Sequence, residues 1–100
     1  MTAAIRPRRS VLYMPGSNAR ALDKAKGLAA DALILDLEDA VAPDAKELAR
    51  RQVCDAVRAR GFGRREVIIR INALSTPWGE ADLAAAAEAR PDVGKFTTII

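Results

Sequence analysis

Three short stretches of this 100-residue chain carry polar side chains capable of chemistry, each at the end of an apolar run. The first is Tyr13-Met14-Pro15-Gly16-Ser17-Asn18, followed by Arg20 and Lys24. Four residues apart, Arg20 and Lys24 share one helix face, and the start of a helix favours an anion such as a phosphate. Two solvated surface cations are the plainer alternative. The second stretch is Asp36-Leu37-Glu38-Asp39. Asp36 and Glu38 point to one side of a strand. Three carboxylates this close repel one another unless a cation or hydrogen bonds stabilise them. A divalent ion, reached directly or through water, would do so, and Mg²⁺ suits few carboxylates and retained waters; an acidic capping turn is the alternative. The third stretch is Arg70-Ile71-Asn72. An Arg inside an apolar run is rare unless paired. Its planar fork suits a substrate carboxylate, or a structural ion pair with Asp36 or Glu38, and the two roles are compatible.

These groups need elements to hold them. Ser10–Gly16 is an apolar run closed by Pro-Gly, which predicts a strand and a turn. Ser17 or Asn18 is a fitting N-cap for a helix over Ala19–Leu28, with Gly27 near its end. Ala32–Leu37 predicts a second strand. Asp44–Arg60 predicts a helix with Leu48, Val53 and Val57 on one face, ended by Gly61 and Gly63. Glu66–Leu74 predicts a third strand, Gly79–Ala89 an Ala-rich helix ended by Pro91, and Lys95–Ile100 a fourth strand. The order βαβαβαβ, with continuously apolar strands, argues for a parallel sheet covered by helices. A doubly wound sheet and the first half of a (β/α)₈ barrel both fit. No G-x-G-x-x-G follows the first strand, which weakens a dinucleotide-binding reading.

Half of the residues are hydrophobic and 29% are charged, an ordinary globular balance. The net charge is +3, and the densest basic cluster, Arg6, Arg8 and Arg9, reads as a solvated arm. No aromatic platform or basic helix follows it, so a nucleic-acid partner is not expected. With one cysteine and no histidine, the chain can build neither an internal disulfide nor a Cys–His or Ser–His pair, and a zinc site is not expected. Cys54 and the single Trp, Trp78, are expected to pack, Cys54 on a helix. No apolar run approaches 18 residues, so no membrane partner and a cytoplasmic location are expected.

The strings Arg9-Ser-Val-Leu-Tyr-Met-Pro-Gly-Ser-Asn18, Leu35-Asp-Leu-Glu-Asp-Ala-Val41 and Arg70-Ile-Asn72 resemble the citrate lyase β-subunit / HpcH-HpaI aldolase family. Relatives in that family include malyl-CoA and citramalyl-CoA lyases. The resemblance covers roughly residues 8–92. The family's short strand and Leu-Pro-Lys would follow, but Gly94-Lys95-Phe96-Thr97-Thr98 departs from that pattern.

The resemblance implies a single (β/α)₈ barrel, with residues 1–100 as its N-terminal three to four βα units. A full barrel has about 250 residues, so a longer natural chain is expected. It also implies a homo-oligomer, a trimer or larger, and a Mg²⁺-dependent Claisen-type lyase acting on a 3-hydroxyacyl-CoA thioester such as citramalyl-CoA or malyl-CoA. By position in the matching strings, Tyr13, Arg20 and Lys24 are implied to contact the CoA or acyl-carrier arm. Arg70 is implied to grip the keto-acid end. Glu38 and Asp39 are implied to support the metal and its waters, with Asp36 in a less defined supporting place. The direct ligands, a Glu and an Asp on later strands, are expected beyond Ile100. Alternatives are a citrate lyase β subunit working with partner subunits, a malyl-CoA thioesterase, and an inactive or structural piece lacking the metal ligands. In a complete enzyme, Arg70→Ala is expected to abolish activity with little loss of fold.

Overall fold

The computed structural model describes residues 11–27, 31–59, 66–89 and 97–100. Arg6, Arg8, Arg9, Ser10, Leu28, Arg60, Gly61, Gly63, Pro91 and the 94–96 stretch lie outside the described residues. The elements run β1 (Val11–Pro15), α1 (Ala19–Ala25), β2 (Ala32–Asp36), a 3₁₀ turn (Pro43–Ala45), α2 (Lys46–Ala59), β3 (Glu66–Arg70), α3 (Gly79–Ala89) and β4 (Thr97–Ile99). No described helix is long and apolar enough to cross a membrane.

The four strands form one sheet in the order β1-β2-β3-β4, and every pair is parallel. A doubly wound sheet reverses its strand order at a switch point. No reversal occurs among these strands, so of the two architectures the pattern allowed, the doubly wound one is excluded for them.

Register assigns each residue to a face. Leu12, Leu33 and Val67 are in line, as are Met14, Leu35, Ile69 and Ile99. These rows pack against Leu22 and Ala25 of α1, Ala49, Val53, Cys54 and Val57 of α2, and Ala86 and Ala89 of α3. All three helices therefore contribute to one core on one side of the sheet. The alternate residues, including Tyr13, Ile34 and Ile68 in one row and Pro15, Asp36 and Arg70 in the next, point to the other side.

Local chemistry sets where elements begin and end. Asn18 caps α1, its Oδ1 accepting from the Ala21 N–H at 3.0 Å. The helix closes three residues before the expected Leu28, as the Lys26 and Gly27 N–H groups turn back to the carbonyls of Asp23 and Lys24. The third strand ends at Arg70, four residues before the expected Leu74. There the Asn72 N–H leaves the ladder and donates to the Asp82 carboxylate at 3.1 Å. On α2 the buried stripe is Lys46, Ala49, Val53 and Val57, with Cys54 beside it. Leu48, expected on that face, is instead 43% exposed. Its position is out of phase with a stripe whose smallest member, Ala49, lets the helix approach the sheet.

Candidate functional site

The candidate site forms where β2 and β3 end. The ladder continues one step past the strands, with the Leu37 N–H donating to the Arg70 carbonyl at 2.9 Å. Asp36 and Arg70 are register partners, so their side chains leave neighbouring strands on the same side.

Asp36 is fully buried, and both of its oxygens are occupied. Oδ1 accepts from Arg70 Nε at 2.8 Å and from the Glu38 N–H at 2.9 Å. Oδ2 accepts from Arg70 Nη2 at 2.8 Å and from the Ala40 N–H at 2.9 Å. Burial alone raises this carboxyl's pKa, but the Arg70 hydrogen bonds and charge and the two backbone N–H groups outweigh it and hold it below its ordinary value. Conversely, the Asp36 carboxylate holds the Arg70 guanidinium protonated far above the physiological range. Asp36 thus folds the turn over residues 37–40 and fixes Arg70; a direct bond to a metal would cost it these contacts.

Arg70 retains unused donors. Asp36 takes the side edge of the guanidinium, and the end edge, Nη1 with the second hydrogen of Nη2, remains. Nη1 lies 3.6 Å from Glu38 Oε1, a loose ion pair with a half-exposed carboxylate. The Tyr13 ring lies 5.2 Å from the guanidinium carbon, within cation–π range. Tyr13 therefore stands beside Arg70 on the helix-free side of the sheet.

A cavity of about 600 Å³ opens at this end, and Glu38, Asp39, Arg70, Asn72, Thr76 and Trp78 are on its wall. Arg20 and Lys24 are exposed on α1 and are not on that wall. The structure gathers Tyr13, Asp36, Glu38, Asp39 and Arg70, and leaves the two α1 cations apart from them: Arg20 is in the first turn, but the helix is so short that Lys24 falls in its last turn, not at the anion-favouring start expected for both. Among the described residues, no group of three or more His, Cys, Asp or Glu side chains converges to hold a metal ion. Glu38 and Asp39 remain available to support a hydrated ion from one side.

Sequence reasoning missed a largely buried polar group at the base of the cavity, where Lys46 and Asn72 reach its wall. Lys46 is buried and donates to the carbonyls of Leu37 at 3.1 Å and Glu38 at 2.7 Å. Its Nζ lies 5.3 Å from the centre of the Trp78 ring. Asn72 Nδ2 donates to the same Leu37 carbonyl at 2.9 Å and to Asp82 at 2.6 Å. Asp82, fully buried on α3, also accepts from Arg50 Nε of α2 at 2.8 Å. Helical phase carried a signal for both residues. Lys46 occupies the stripe 46, 49, 53, 57, and Asp82 the stripe 79, 82, 86, 89. A charge within an apolar stripe must be paired.

A family model described as HpcH/HpaI aldolase/citrate lyase matches residues 9–94. The chain is 57% identical over 86 residues to a (3S)-malyl-CoA thioesterase of Cereibacter sphaeroides, covering 86% of this chain and 30% of that protein. It is 43% identical to the citrate lyase subunit beta of Escherichia coli, covering 88% of this chain and 29% of that protein. It is 40% identical to an L-malyl-CoA/beta-methylmalyl-CoA lyase of C. sphaeroides, covering 87% of this chain and 27% of that protein. The chain therefore spans about a third or less of the length of these curated relatives. The crystal structure of CitE from Mycobacterium tuberculosis in complex with magnesium, acetoacetate and coenzyme A superposes with a TM-score of 0.64 at 35% identity, covering 83% of this chain and 30% of that one. The M. tuberculosis citrate lyase beta subunit complexed with oxaloacetate and magnesium gives 0.64 at 36% identity, covering 77% of this chain and 32% of that one.

Proposed function

The chain belongs to the HpcH/HpaI aldolase/citrate lyase family, and from that premise we propose that it is the N-terminal portion of a (β/α)₈-barrel enzyme cleaving a carbon–carbon bond in a 3-hydroxyacyl-CoA thioester with the help of Mg²⁺. Four in-order parallel strands with their helices on one side are how such a barrel begins. Magnesium and coenzyme A in a 35%-identical neighbour support the cofactor and the substrate class.

One observation carries the reading. Arg70 is locked by Asp36 along one edge while its other edge remains on the cavity wall. A guanidinium held this way is preorganised for a carboxylate at low entropic cost. It would grip the keto-acid end of the substrate. Glu38 and Asp39, on the same wall, would accept hydrogen bonds from waters around the ion and hold it from one side. The ion, with its direct ligands expected on later strands of the longer protein, would supply Lewis-acid polarisation of the substrate oxygens at the acid end. In the reaction the substrate hydroxyl loses its proton, the bond between its carbon and the thioester's α-carbon breaks, and the α-carbon gains a proton. An oxo acid and a shorter acyl-CoA result. Arg20 and Lys24 would orient the phosphates of the carrier arm, and the assembled enzyme would be a homo-oligomer.

The 57% identity to a malyl-CoA thioesterase supports a second reading, in which the same grip holds the acid end while water cleaves the carbon–sulfur bond. Product analysis of the full-length protein with malyl-CoA and Mg²⁺ separates the two. Glyoxylate with acetyl-CoA is expected from the lyase; malate with free CoA would install the thioesterase. Formation of neither product pair from malyl-CoA, together with no pyruvate or free CoA from citramalyl-CoA, would refute both readings.

A further inference from the structure

We infer that Lys46 is a positioning residue that acts through Glu38, holding the turn after β2 in its working geometry. The inference rests on the use of Glu38 proposed above. Glu38 is the one carboxylate of the turn in contact with Arg70, yet it is half-exposed and its ion pair is loose at 3.6 Å. Its side chain therefore does not fix its own place; the backbone beneath it must.

That backbone is held from below by side chains distant in sequence. Lys46 Nζ bridges two consecutive carbonyls, Leu37 and Glu38, from the first turn of α2. Asn72 binds the Leu37 carbonyl from the end of β3 and is itself held by Asp82, which Arg50 anchors to α2. The Asp36 carboxylate takes the N–H groups of Glu38 and Ala40. The turn is thus gripped by its N–H groups on one side and by its carbonyls on the other. Among the described side chains, Lys46 alone donates to the carbonyl of Glu38, at 2.7 Å; that oxygen also accepts the Val41 N–H of its own turn, at a longer 3.2 Å. Lys46 is 6% exposed where it meets the cavity wall, and the Trp78 ring covers it at 5.3 Å, so little water competes for its donors. Charged hydrogen bonds to buried acceptors are the strong ones, so losing Lys46 leaves the carbonyl on which Glu38 turns with only the longer, uncharged bond from the Val41 N–H.

The test is a double-mutant cycle in the full-length protein. Lys46→Met, Glu38→Gln and the pair are assayed with malyl-CoA for kcat and KM, and each is melted. Lys46→Met is expected to lower kcat about 10- to 100-fold, the size of losing charged hydrogen bonds, with KM changed by less than about 3-fold. In the Glu38→Gln background the same change is expected to cost less than about 2-fold. An undiminished loss in that background would overturn the inference while leaving the role of Glu38 intact. Full activity of Glu38→Gln would overturn the role of Glu38 and the inference with it. If Lys46→Met does not fold, Lys46→Gln, which keeps a single uncharged donor for the two carbonyls, takes its place in the cycle. Its expected kcat loss is about 3- to 10-fold, again vanishing with Glu38→Gln, and a loss that persists there would overturn the proposal.

Discussion

Asp36 and Arg70 share two hydrogen bonds, and Asp36 is completely covered, so each side chain is needed for the other to be tolerated. This changes what substitution at Arg70 tests. Arg70→Ala would strand a buried carboxylate, and breaking a buried pair from one side costs about 3–5 kcal/mol. The expectation of an almost unaffected fold is therefore revised: a large drop in melting temperature should accompany loss of activity. Arg70→Lys is the cleaner probe, because it keeps a charge beside Asp36 but has no second edge for a carboxylate. It should melt closer to wild type while kcat/KM falls by about 100-fold or more, as expected for a lost bidentate contact of about 3 kcal/mol. Near-wild-type kinetics would reduce Arg70 to a structural partner of Asp36. The pair also sets an acid limit. The folded-state pKa of Asp36 lies below its ordinary value of 3.8. Its contribution is thus fully present above that value and is lost as pH falls through the lower, folded one. Melting curves between about pH 5 and pH 2 should show this loss in the wild type, with a shallower slope in Asp36→Asn.

Elements meet at two glycines that tolerate no side chain. A Cβ on Gly16 would lie 2.8 Å from the Asp36 carbonyl and from Val53, and one on Gly79 would run into the Ala73 backbone. Gly16 lets the end of β1 close onto β2, its N–H reaching the Asp36 carbonyl at 2.7 Å. Gly79 lets α3 start directly beneath the turn that carries Asn72. Alanine at either position should lower stability by about 1–3 kcal/mol, read as a melting shift. Gly16→Ala should also lower activity, because it pushes on the strand end that carries Asp36. The exposed face of α1 makes a separate claim. Arg20→Ala with Lys24→Ala in the full-length protein should raise KM for a CoA ester roughly 5- to 30-fold, the sum of two screened charge contacts of about 0.5–1 kcal/mol each. An unchanged KM would return both residues to the solvated surface.

At the scale of the molecule, the sheet is covered on one side only by its own helices. Val11, Tyr13 and Ile100, on the other side, are each at least 40% exposed. β1 and β4 are the edge strands of this sheet. Both features invite association, and in a closed barrel further strands would bury them. The 100-residue polypeptide prepared alone should therefore associate in light scattering and show no turnover of malyl-CoA. Mg²⁺-dependent product formation by that polypeptide would overturn the placement of the metal's main ligands outside it.

Much of this was already legible in the linear chain. Apolar runs and Gly or Pro punctuation place the four strands and three helices, because strand and helix periods are local properties of consecutive residues. The same locality makes Asp36, Glu38 and Arg70 stand out, as charges at or within apolar runs, and it limited their possible partners to a short set. Only the tertiary structure decided among those partners. Register brought Asp36 opposite Arg70 across 34 residues, and strand order excluded a doubly wound arrangement for the four described strands. It also placed Leu48 outside and Lys46 inside, since a helix's phase against a sheet depends on how closely Ala49 allows it to approach. Lys46, Asn72 and Asp82 became one group because backbone carbonyls, which no residue type advertises, were left at the strand ends needing donors.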